Sequence, residues 1–328
     1  MIVESKIRTT RSDRCYLCGS EGKRIYSGLM DRLHQRSQLW DLIRCLNPEC
    51  GLVWLDPTPI KEDLHNAYDD YYTHDSSSGR SRMLYTIIRG IYRAFNFVPS
   101  RIFGLYRAKA QVESMFLAGK MPGTLLDVGC GDGGFLNKMR SSGWAVEGVD
   151  VDKDAADFAL KKFGIKVHIG ELIDAHFPGD YFDAITLKHV IEHVYDPVSL
   201  LEECKRILKP GGTIVLVAPN MDSLGSKKFK VNWRDLDPPR HLYVFSPISI
   251  RLCAEKAGLS VQKIITSAAN SELVFLGSFD IERAGRHDLR KFPVIANALK
   301  AWFYQYSELF SMRTDPYLGE ELVLIAGK

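Results

Sequence analysis

The sequence predicts an α/β fold in which a parallel sheet follows a small cysteine-rich module and a helical connector. Two observations support this: short β-branched runs alternate with helical stretches from Thr124 to Pro219, and four of the seven cysteines lie within residues 1–58. Strands that alternate with helices are typical of βαβ units, whose parallel strands share one sheet. The predicted boundaries are 1–58 for the module, 59–119 for the connector and 120–328 for the α/β domain.

Composition and charge are those of an ordinary globular chain. A length of 328 residues predicts roughly two domains, and 45% hydrophobic with 25% charged residues excludes wholesale disorder. No apolar run approaches the roughly 18 residues of a membrane-spanning helix. The stretch MIVESKIRTTRSDR lacks the apolar region of a secretory signal, and an odd number of cysteines does not suit a disulfide framework, so we expect a cytoplasmic protein. The net charge of +3 does not favour a nucleic-acid partner.

The module carries a candidate metal site. Cys15 and Cys18 form C-x2-C, and Cys45 and Cys50 form C-x4-C. Thiolates at these spacings can face one ion, and two such pairs complete a tetrahedral zinc site with no open position. Zinc binding worth ~10–16 kcal/mol in isolated fingers is enough to fold a segment this small. We therefore predict a structural zinc ribbon, and the alternative is four unrelated buried cysteines.

The connector is predicted to be helical and basic. Apolar residues recur at a helical period from Leu84 to Phe95, Pro99 interrupts the pattern, and residues 76–112 hold seven basic side chains and no acid. A second amphipathic stretch runs from Phe292 to Phe310. Basic helices with aromatic-rich apolar faces suit peripheral contact with an anionic membrane, here the inner face. The alternative is that these faces pack against the chain's own core or a homodimer partner.

The passage LLDVGCGDGGFL at 125–136 predicts a ligand-binding loop. A buried strand ends in a run of glycines and is followed by helical residues. Glycines let the backbone approach a ligand, and the carboxyl edge of a doubly wound sheet is where ligands bind. Asp150 ends the next predicted strand, where a carboxylate can bind both ribose hydroxyls. Asp127 and Asp132 would repel a pyrophosphate but suit a cationic amino-acid end, which argues against a dinucleotide.

These motifs resemble class I S-adenosylmethionine-dependent methyltransferases over about residues 122–328. The resemblance implies a Rossmann-like seven-stranded sheet and S-adenosylmethionine (SAM) as the cofactor. It implies that the glycine loop contacts the methionine portion, Asp150 the ribose and Glu171 the region of the adenine amino group. Two further segments, YFDAITLKHVIEHVYDP and ILKPGGTIVLVAPN, match the fourth and fifth strands. The cofactor-binding residues implied are Asp127, Gly129, Cys130, Gly131, Asp150, Val151, Glu171, Leu172 and Lys188.

A cysteine cluster ahead of such a domain resembles sugar-modifying methyltransferases and enzymes of polysaccharide biosynthesis. This resemblance implies a small-molecule or glycan acceptor and O-methylation, with His241 of NWRDLDPPRHLYVFS as general base. A sugar hydroxyl attacks a sulfonium methyl poorly until its proton is being removed. The alternative is a loop histidine bonded to the backbone. Trp233, Tyr243 and Phe245 could wall a pocket, and Arg234 and Arg240 either hold a substrate phosphate or are solvated charges.

The segment HVIEH, residues 189–193, contributes two further candidate catalytic histidines, His189 and His193. Its formal match to an inverted zinc-protease pattern is rejected, since it follows a sheet strand in a cofactor-binding domain. It also resembles E-x-x-E-H of ubiquinone-pathway and small-RNA O-methyltransferases, where a divalent ion grips neighbouring hydroxyls and another histidine completes the site. A candidate second metal site therefore comprises His189, Glu192 and His193, predicted on one helical face, with His241. The alternative is that Glu192 and His193 cap and pack the helix.

Two other functions stay open from the sequence. A zinc module and a basic segment are compatible with a nucleic-acid (RNA) methyltransferase. A non-catalytic SAM-binding scaffold is the other alternative, because cofactor binding alone does not distinguish it from an enzyme. Release of S-adenosylhomocysteine in the presence of acceptor would make that distinction.

Overall fold

The computed structural model describes residues 7–33, 37–68, 97–286 and 295–328, and its strands form three sheets. The strands are β1 (Thr9–Thr10), β2 (Gly22–Met30), β3 (Leu39–Cys45), β4 (Val53–Asp56), β5 (Thr58–Pro59), β6 (Thr124–Val128), β7 (Ala145–Asp150), β8 (Val167–Ile169), β9 (Phe182–Lys188), β10 (Leu208–Pro219), β11 (Tyr243–Val244), β12 (Ser260–Ser267) and β13 (Glu321–Gly327). The first and fifth of these strands pair with each other alone.

The helices lie mainly between the strands of the second half of the chain. They are α1 (Leu105–Glu113), α2 (Gly134–Ser141), α3 (Lys153–Phe163), α4 (Pro197–Ile207), α5 (Leu224–Phe229), α6 (Pro247–Lys256), α7 (Ser271–Ala284) and α8 (Ile295–Ser311). Single 3-10 segments cover Lys61–Tyr68, Leu172–Ala175, Ile191–His193, Lys230–Asn232 and Arg234–Leu236.

The central sheet has seven strands in the order β12-β13-β10-β9-β6-β7-β8. Neighbours from β10 to β8 are parallel, and β13 is antiparallel to both of its neighbours. The inner strands β6, β9 and β10 are almost wholly buried, as expected for strands covered by helices on both faces. The predicted Rossmann-like seven-stranded α/β fold is therefore confirmed.

The amino-terminal sheet includes a strand from the distant half of the chain. Its order is β11-β4-β3-β2, in which Tyr243 and Val244 pair with Trp54 and Val53. The amide of Leu55 also donates to the carbonyl of Leu242 at 2.9 Å. Local spacing did not indicate this pairing, which joins the cysteine-rich module to the segment that follows His241.

Part of the predicted connector lies outside the described residues, including the periodic stretch from Leu84 to Phe95. Residues 97–102 are helical, so the described part of the chain continues in helical conformation through Pro99, whereas the pattern before it lies outside the described residues. The chain instead turns at Gly104, whose φ is 84°. The predicted amphipathic helix near the carboxyl end is present as α8. No helix of the described residues is long and apolar enough to cross a membrane.

Candidate functional site

The glycine loop joins β6 to α2 at the carboxyl edge of the central sheet. Gly129 and Gly133 have φ values of 70° and 73°. A Cβ atom at Gly129 would lie 2.4 Å from Cγ2 of Val190, and one at Gly133 would lie 2.8 Å from Cβ of Ala159. Gly131 also has a positive φ, of 51°, but open space surrounds it. The loop therefore needs glycine for packing at two positions and leaves an approach for a ligand at the third.

Asp150 is held by the loop that it faces. The amide of Gly131 donates to its Oδ2 at 2.7 Å, and the amide of Asp152 donates to its Oδ1 at 2.9 Å. Asp127 lies beneath the same loop and accepts a hydrogen bond of 2.6 Å from Oγ1 of Thr186. Burial raises the pKa of Asp127 to about 7, and the charge of Asp150 adds to that effect. A cationic ligand at this edge would be stabilised by both carboxylates.

The remaining predicted cofactor residues differ in exposure. Cys130 and Leu172 are buried, and burial raises the pKa of the Cys130 thiol. Val151 is 73% exposed beside Asp150, and Lys188 is exposed at the end of β9. Glu171 forms an ion pair of 2.7 Å with Lys61, a residue of the first 3-10 segment. Their cofactor roles remain predictions, while the Lys61 contact is one that local sequence patterns did not indicate.

Replacing Asp150 with alanine is expected to abolish measurable SAM binding, because the proposed bidentate contact with the ribose hydroxyls is lost. Asp154→Ala, a change at an exposed carboxylate four residues further on, serves as the matched control. Titration calorimetry measures the affinity, and circular dichroism checks the fold. An Asp150→Ala protein that binds SAM as tightly as the wild type would remove Asp150 from the site.

His189 does not share a helical face with Glu192 and His193, so that prediction is wrong. Its φ is 54°, and only Ile191–His193 form a single 3-10 turn. Nδ1 of His189 lies 3.2 Å from Glu192, and Nε2 lies 3.7 Å from Glu321. Burial lowers the pKa of His189, but hydrogen bonds to the two carboxylates outweigh this and raise it to about 10. A cationic His189 is a counter-ion for these acids rather than a proton acceptor.

Glu192, His193 and His241 form a compact cluster of potential ligands. One ligand atom from each lies within 4.8 Å of the others. The two imidazole rings meet edge to face with centroids 4.7 Å apart. Burial and the neighbouring His241 lower the pKa of His193 to about 4, which keeps it neutral. Within the described part of the chain, Oε2 of Glu192 is buried without a hydrogen-bond partner. Two histidines and a free carboxylate oxygen fit a divalent ion, so the proposed second metal site retains three of its four residues.

A side-chain hydrogen bond and a hydrogen bond of the neighbouring backbone amide hold His241 in place. Its Nδ1 lies 2.7 Å from the carbonyl oxygen of Asp235, to which it donates as N–H. The next amide, of Leu242, donates to the carbonyl of Glu192 at 2.8 Å. The backbone contact expected of an ordinary loop histidine is therefore present, but it involves Nδ1 alone. Nε2 is then the proton-accepting nitrogen of the neutral ring.

His193 is also reached from the amino-terminal part of the chain. The hydroxyl of Tyr68 lies 2.9 Å from its Nδ1, and the carbonyl of Arg240 lies 3.0 Å from the same atom. Tyr68 and Lys61 both belong to the 3-10 segment Lys61–Tyr68. That segment therefore contacts both Glu171, the residue predicted to lie near the adenine amino group, and His193 of the histidine cluster. A tyrosine within a polar helical stretch carries no local signal that would have indicated this.

Arg240 and the loop aromatics have structural roles that differ from the sequence prediction. Arg240 is buried, with ion pairs of 2.9 Å to Asp31 and 2.6 Å to Asp237. Its guanidinium is thus engaged within the chain, and it does not hold a substrate phosphate. Trp233 and Phe245 are buried in the core instead of walling an open pocket, and Nε1 of Trp233 donates to Glu320 at 2.8 Å.

The four cysteines predicted to bind zinc converge. Their sulfur atoms lie within 4.8 Å of one another, with 3.6 Å between Cys15 and Cys50 and 3.3 Å between Cys18 and Cys45. Zinc–sulfur bonds of about 2.3 Å in a tetrahedron place sulfurs about 3.8 Å apart, so the cluster fits the ion. The hydrogen bond from Cys50 lowers the pKa of Cys15 to about 5. The glycine after each pair, Gly19 or Gly51, has a positive φ of 72° or 60°.

Comparison with known proteins identifies the class to which this chain belongs. The sequence model of the methyltransferase domain family matches residues 100–264, about half of the chain. The chain belongs to this family and is a SAM-dependent methyltransferase. The predictions of an enzyme and of SAM are therefore confirmed.

Several relatives bear the name ubiquinone biosynthesis O-methyltransferase. The protein of Nitrosospira multiformis is 31% identical over 167 residues, covering 47% of this chain and 68% of the relative. That of Pseudomonas paraeruginosa is 36% identical over 137 residues, covering 39% and 56%. A solved SAM-dependent methyltransferase from Archaeoglobus fulgidus is 22% identical, with a TM-score of 0.47 and coverage of 71% of this chain and 100% of that one. The resemblance to sugar-modifying enzymes stays a prediction.

Proposed function

We propose that the enzyme transfers a methyl group from SAM to a hydroxyl oxygen of a small molecule, with His241 as general base. The observation that carries the proposal is the orientation of the imidazole, whose Nδ1–H is bound to the Asp235 carbonyl. Nε2 therefore carries the lone pair of the neutral His241 ring, which is buried beside His193, and the lowered pKa of His193 keeps that neighbour neutral. Relatives named O-methyltransferases support oxygen as the methylated atom.

The proposed chemistry is an in-line displacement. SAM supplies a methyl group bonded to a positively charged sulfur. The acceptor oxygen forms a bond to the methyl carbon as the carbon–sulfur bond breaks, and its proton passes to Nε2 of His241. Asp150 and the glycine loop orient the cofactor, so positioning supplies much of the acceleration. We propose a sugar-type hydroxyl as acceptor, because such an alcohol needs a base during the attack.

A divalent ion is a second candidate means of activating the acceptor. The unpartnered Glu192 oxygen and the two neighbouring histidines favour it. In that case His241 would bind the ion and the ion would lower the pKa of the acceptor hydroxyl. His241 takes part in both alternatives, as the base or as a metal ligand, so its substitution would lower activity in either case. A chelator therefore distinguishes the two alternatives better.

The amino-terminal module is proposed to close one side of the acceptor site. Strand β4 of the module pairs with β11 just after His241, and in the 3-10 segment that follows the module Lys61 and Tyr68 contact Glu171 and His193. A module built on a structural zinc would hold these contacts in place. This role explains the zinc site without RNA binding.

Release of S-adenosylhomocysteine tests the proposed function. The assay offers nucleotide sugars, glycan extracts, phenolic hydroxyl compounds and RNA in parallel. Transfer to a sugar hydroxyl is expected. Transfer to RNA alone would contradict the small-molecule proposal, and SAM binding without transfer to any acceptor would favour a scaffold.

A peripheral membrane contact is proposed from a surface that two separate segments share. The ring of Phe103 lies 5.6 Å from that of Tyr306 and 5.1 Å from that of Phe310, so Phe103 packs against α8. The aromatic–basic face comprises the exposed apolar residues Phe97, Val98, Ile102, Tyr106, Leu299, Phe303 and Phe310 with the basic residues Arg101, Arg107, Lys300 and Arg313. Residues 97–112 contain no acid. This combination suits an anionic lipid surface, where each basic group contributes about 1 kcal/mol.

Flotation with phosphatidylglycerol vesicles at low salt is expected to carry the wild-type protein upward. Leu299→Asp/Phe303→Asp should remain at the bottom, because two carboxylates would enter the interface. Met121→Asp, at a residue 90% exposed and outside the face, is the control and should float. Wild-type protein that stays at the bottom, or that elutes as a dimer with this face protected, contradicts membrane contact.

A further inference from the structure

We propose that a pocket between the amino-terminal sheet and the segment after β10 binds a phosphate or diphosphate group of the acceptor. This inference rests on the proposed function and deepens it. The pocket has a volume of about 280 Å³. Tyr26 and Arg44 line it from β2 and β3, and Asp222, Ser226, Lys227 and Lys230 line it from the other side.

The cations of this pocket are not engaged elsewhere among the described residues. Arg44 is half-buried, and its Nε is shielded from solvent without a hydrogen-bond partner. A buried donor of this kind is unfavourable unless a ligand accepts from it. Lys227 and Lys230 are exposed, and neither pairs with a carboxylate within the described ranges. This contrasts with Arg240, whose guanidinium is paired on both sides.

The positive charge of the pocket favours a phosphate-type anion as its ligand. Arg44, Lys227 and Lys230 outweigh Asp222, so the side chains that line the pocket carry a net formal charge of +2. A guanidinium binds tetrahedral oxyanions through paired N–H groups, and ammonium groups add point charges. Two net charges match a phosphomonoester or a diphosphate better than a single carboxylate.

The pocket also lies near the carboxyl end of β10, in the central sheet. The segment that lines it begins two residues after Pro219, the last residue of β10, and β10 pairs with β9. The amide of Met221 donates to the carbonyl of Phe245 at 2.8 Å, four residues after His241. An acceptor anchored here by its phosphate would therefore extend along the edge that carries the candidate base.

Binding of inorganic pyrophosphate tests the pocket directly. Titration calorimetry at low salt should show binding to the wild-type protein that weakens with added salt. Arg44→Gln should weaken it about ten- to hundredfold, the range expected for charged hydrogen bonds. Lys227→Gln/Lys230→Gln should also weaken it, which keeps the test valid if Arg44→Gln disturbs the sheet. Lys256→Gln, an exposed change on α6, is the control and should leave binding unchanged.

Two results would overturn the assignment. One is pyrophosphate binding that is unchanged in both pocket variants, and the other is malonate that binds as tightly as pyrophosphate.

A kinetic comparison separates this inference from the proposed function. Acceptors that differ only in a phosphate group are assayed with wild-type and pocket-variant enzyme, while SAM affinity is measured on the same preparations. We expect the variants to raise KM about tenfold for the phosphorylated acceptor alone, with kcat and SAM affinity unchanged. Equal KM values with and without phosphate would overturn the pocket while leaving hydroxyl methylation intact. Pyrophosphate binding without any hydroxyl methylation would instead contradict the proposed function.

Discussion

His241→Ala is expected to lower turnover about 10²–10⁴-fold, the range for removal of a general base, with little change in SAM affinity. The substitution deletes the Nε2 acceptor, while Asp150 and the glycine loop keep their contacts. His176→Ala, at an exposed histidine, is the matched control and should retain activity. Initial-rate kinetics with the acceptor identified by screening give the turnover, and calorimetry gives the affinity. Wild-type turnover in His241→Ala would exclude the residue from catalysis.

A chelator then distinguishes the base from a metal ligand. If His241 acts as the base, EDTA should leave activity intact once elemental analysis shows that zinc is still bound. Loss of activity in EDTA with recovery in Mg²⁺ or Mn²⁺ would instead indicate an ion held by Glu192, His193 and His241.

The second large effect concerns the cysteine cluster. The purified protein is expected to carry one zinc ion, and Cys15→Ser/Cys50→Ser should lower the zinc content to nearly zero. Zinc binding in isolated fingers is worth ~10–16 kcal/mol, so its loss should destabilise the amino-terminal sheet severely. The loss should also affect methyl transfer, because β4, Lys61 and Tyr68 contact the candidate site from this side. Elemental analysis and the first transition of thermal unfolding measure the two effects.

Cys204→Ala is the matched control for this experiment. Cys204 is buried on α4 and lies outside the cluster, so the variant should lose some stability but keep its zinc. A wild-type protein without zinc would contradict the ribbon. Equal zinc content in the double variant and the control would show that the metal is held elsewhere.

The fold was predictable because its signals are local. Runs such as TIVLVAP are β-branched and buried, and they recur between helical stretches at the spacing of βαβ units. The three glycines of DVGCGDG have positive φ values, and two of them, Gly129 and Gly133, also pack too closely for a side chain. Clustering of the cysteines was equally predictable, since each pair is set by a tight turn. These features depend on residues that are near one another in the chain.

Side-chain roles near the histidines were less predictable. Periodicity placed His189, Glu192 and His193 on one helix, but the positive φ of His189 directs its ring to Glu192 and Glu321. From the sequence, Arg240 was equally compatible with a substrate phosphate and with a solvated charge, whereas in the fold Asp31 pairs with it from a distant part of the chain. The neighbouring sequence does not indicate whether a charged side chain is solvated or forms an ion pair. Its burial in the fold decides between these two states.

The sequence by itself thus determined the sheet, the glycine loop, the cysteine cluster and the methyltransferase class. Tertiary structure alone decided that β11 completes the amino-terminal sheet, that Tyr68 contacts His193 and that Arg44 lies in a pocket with Lys227 and Lys230. The physical reason is the range of the interactions involved. Backbone propensity and hydrophobic periodicity act within a few residues, whereas the site is assembled from segments that long-range packing brings together.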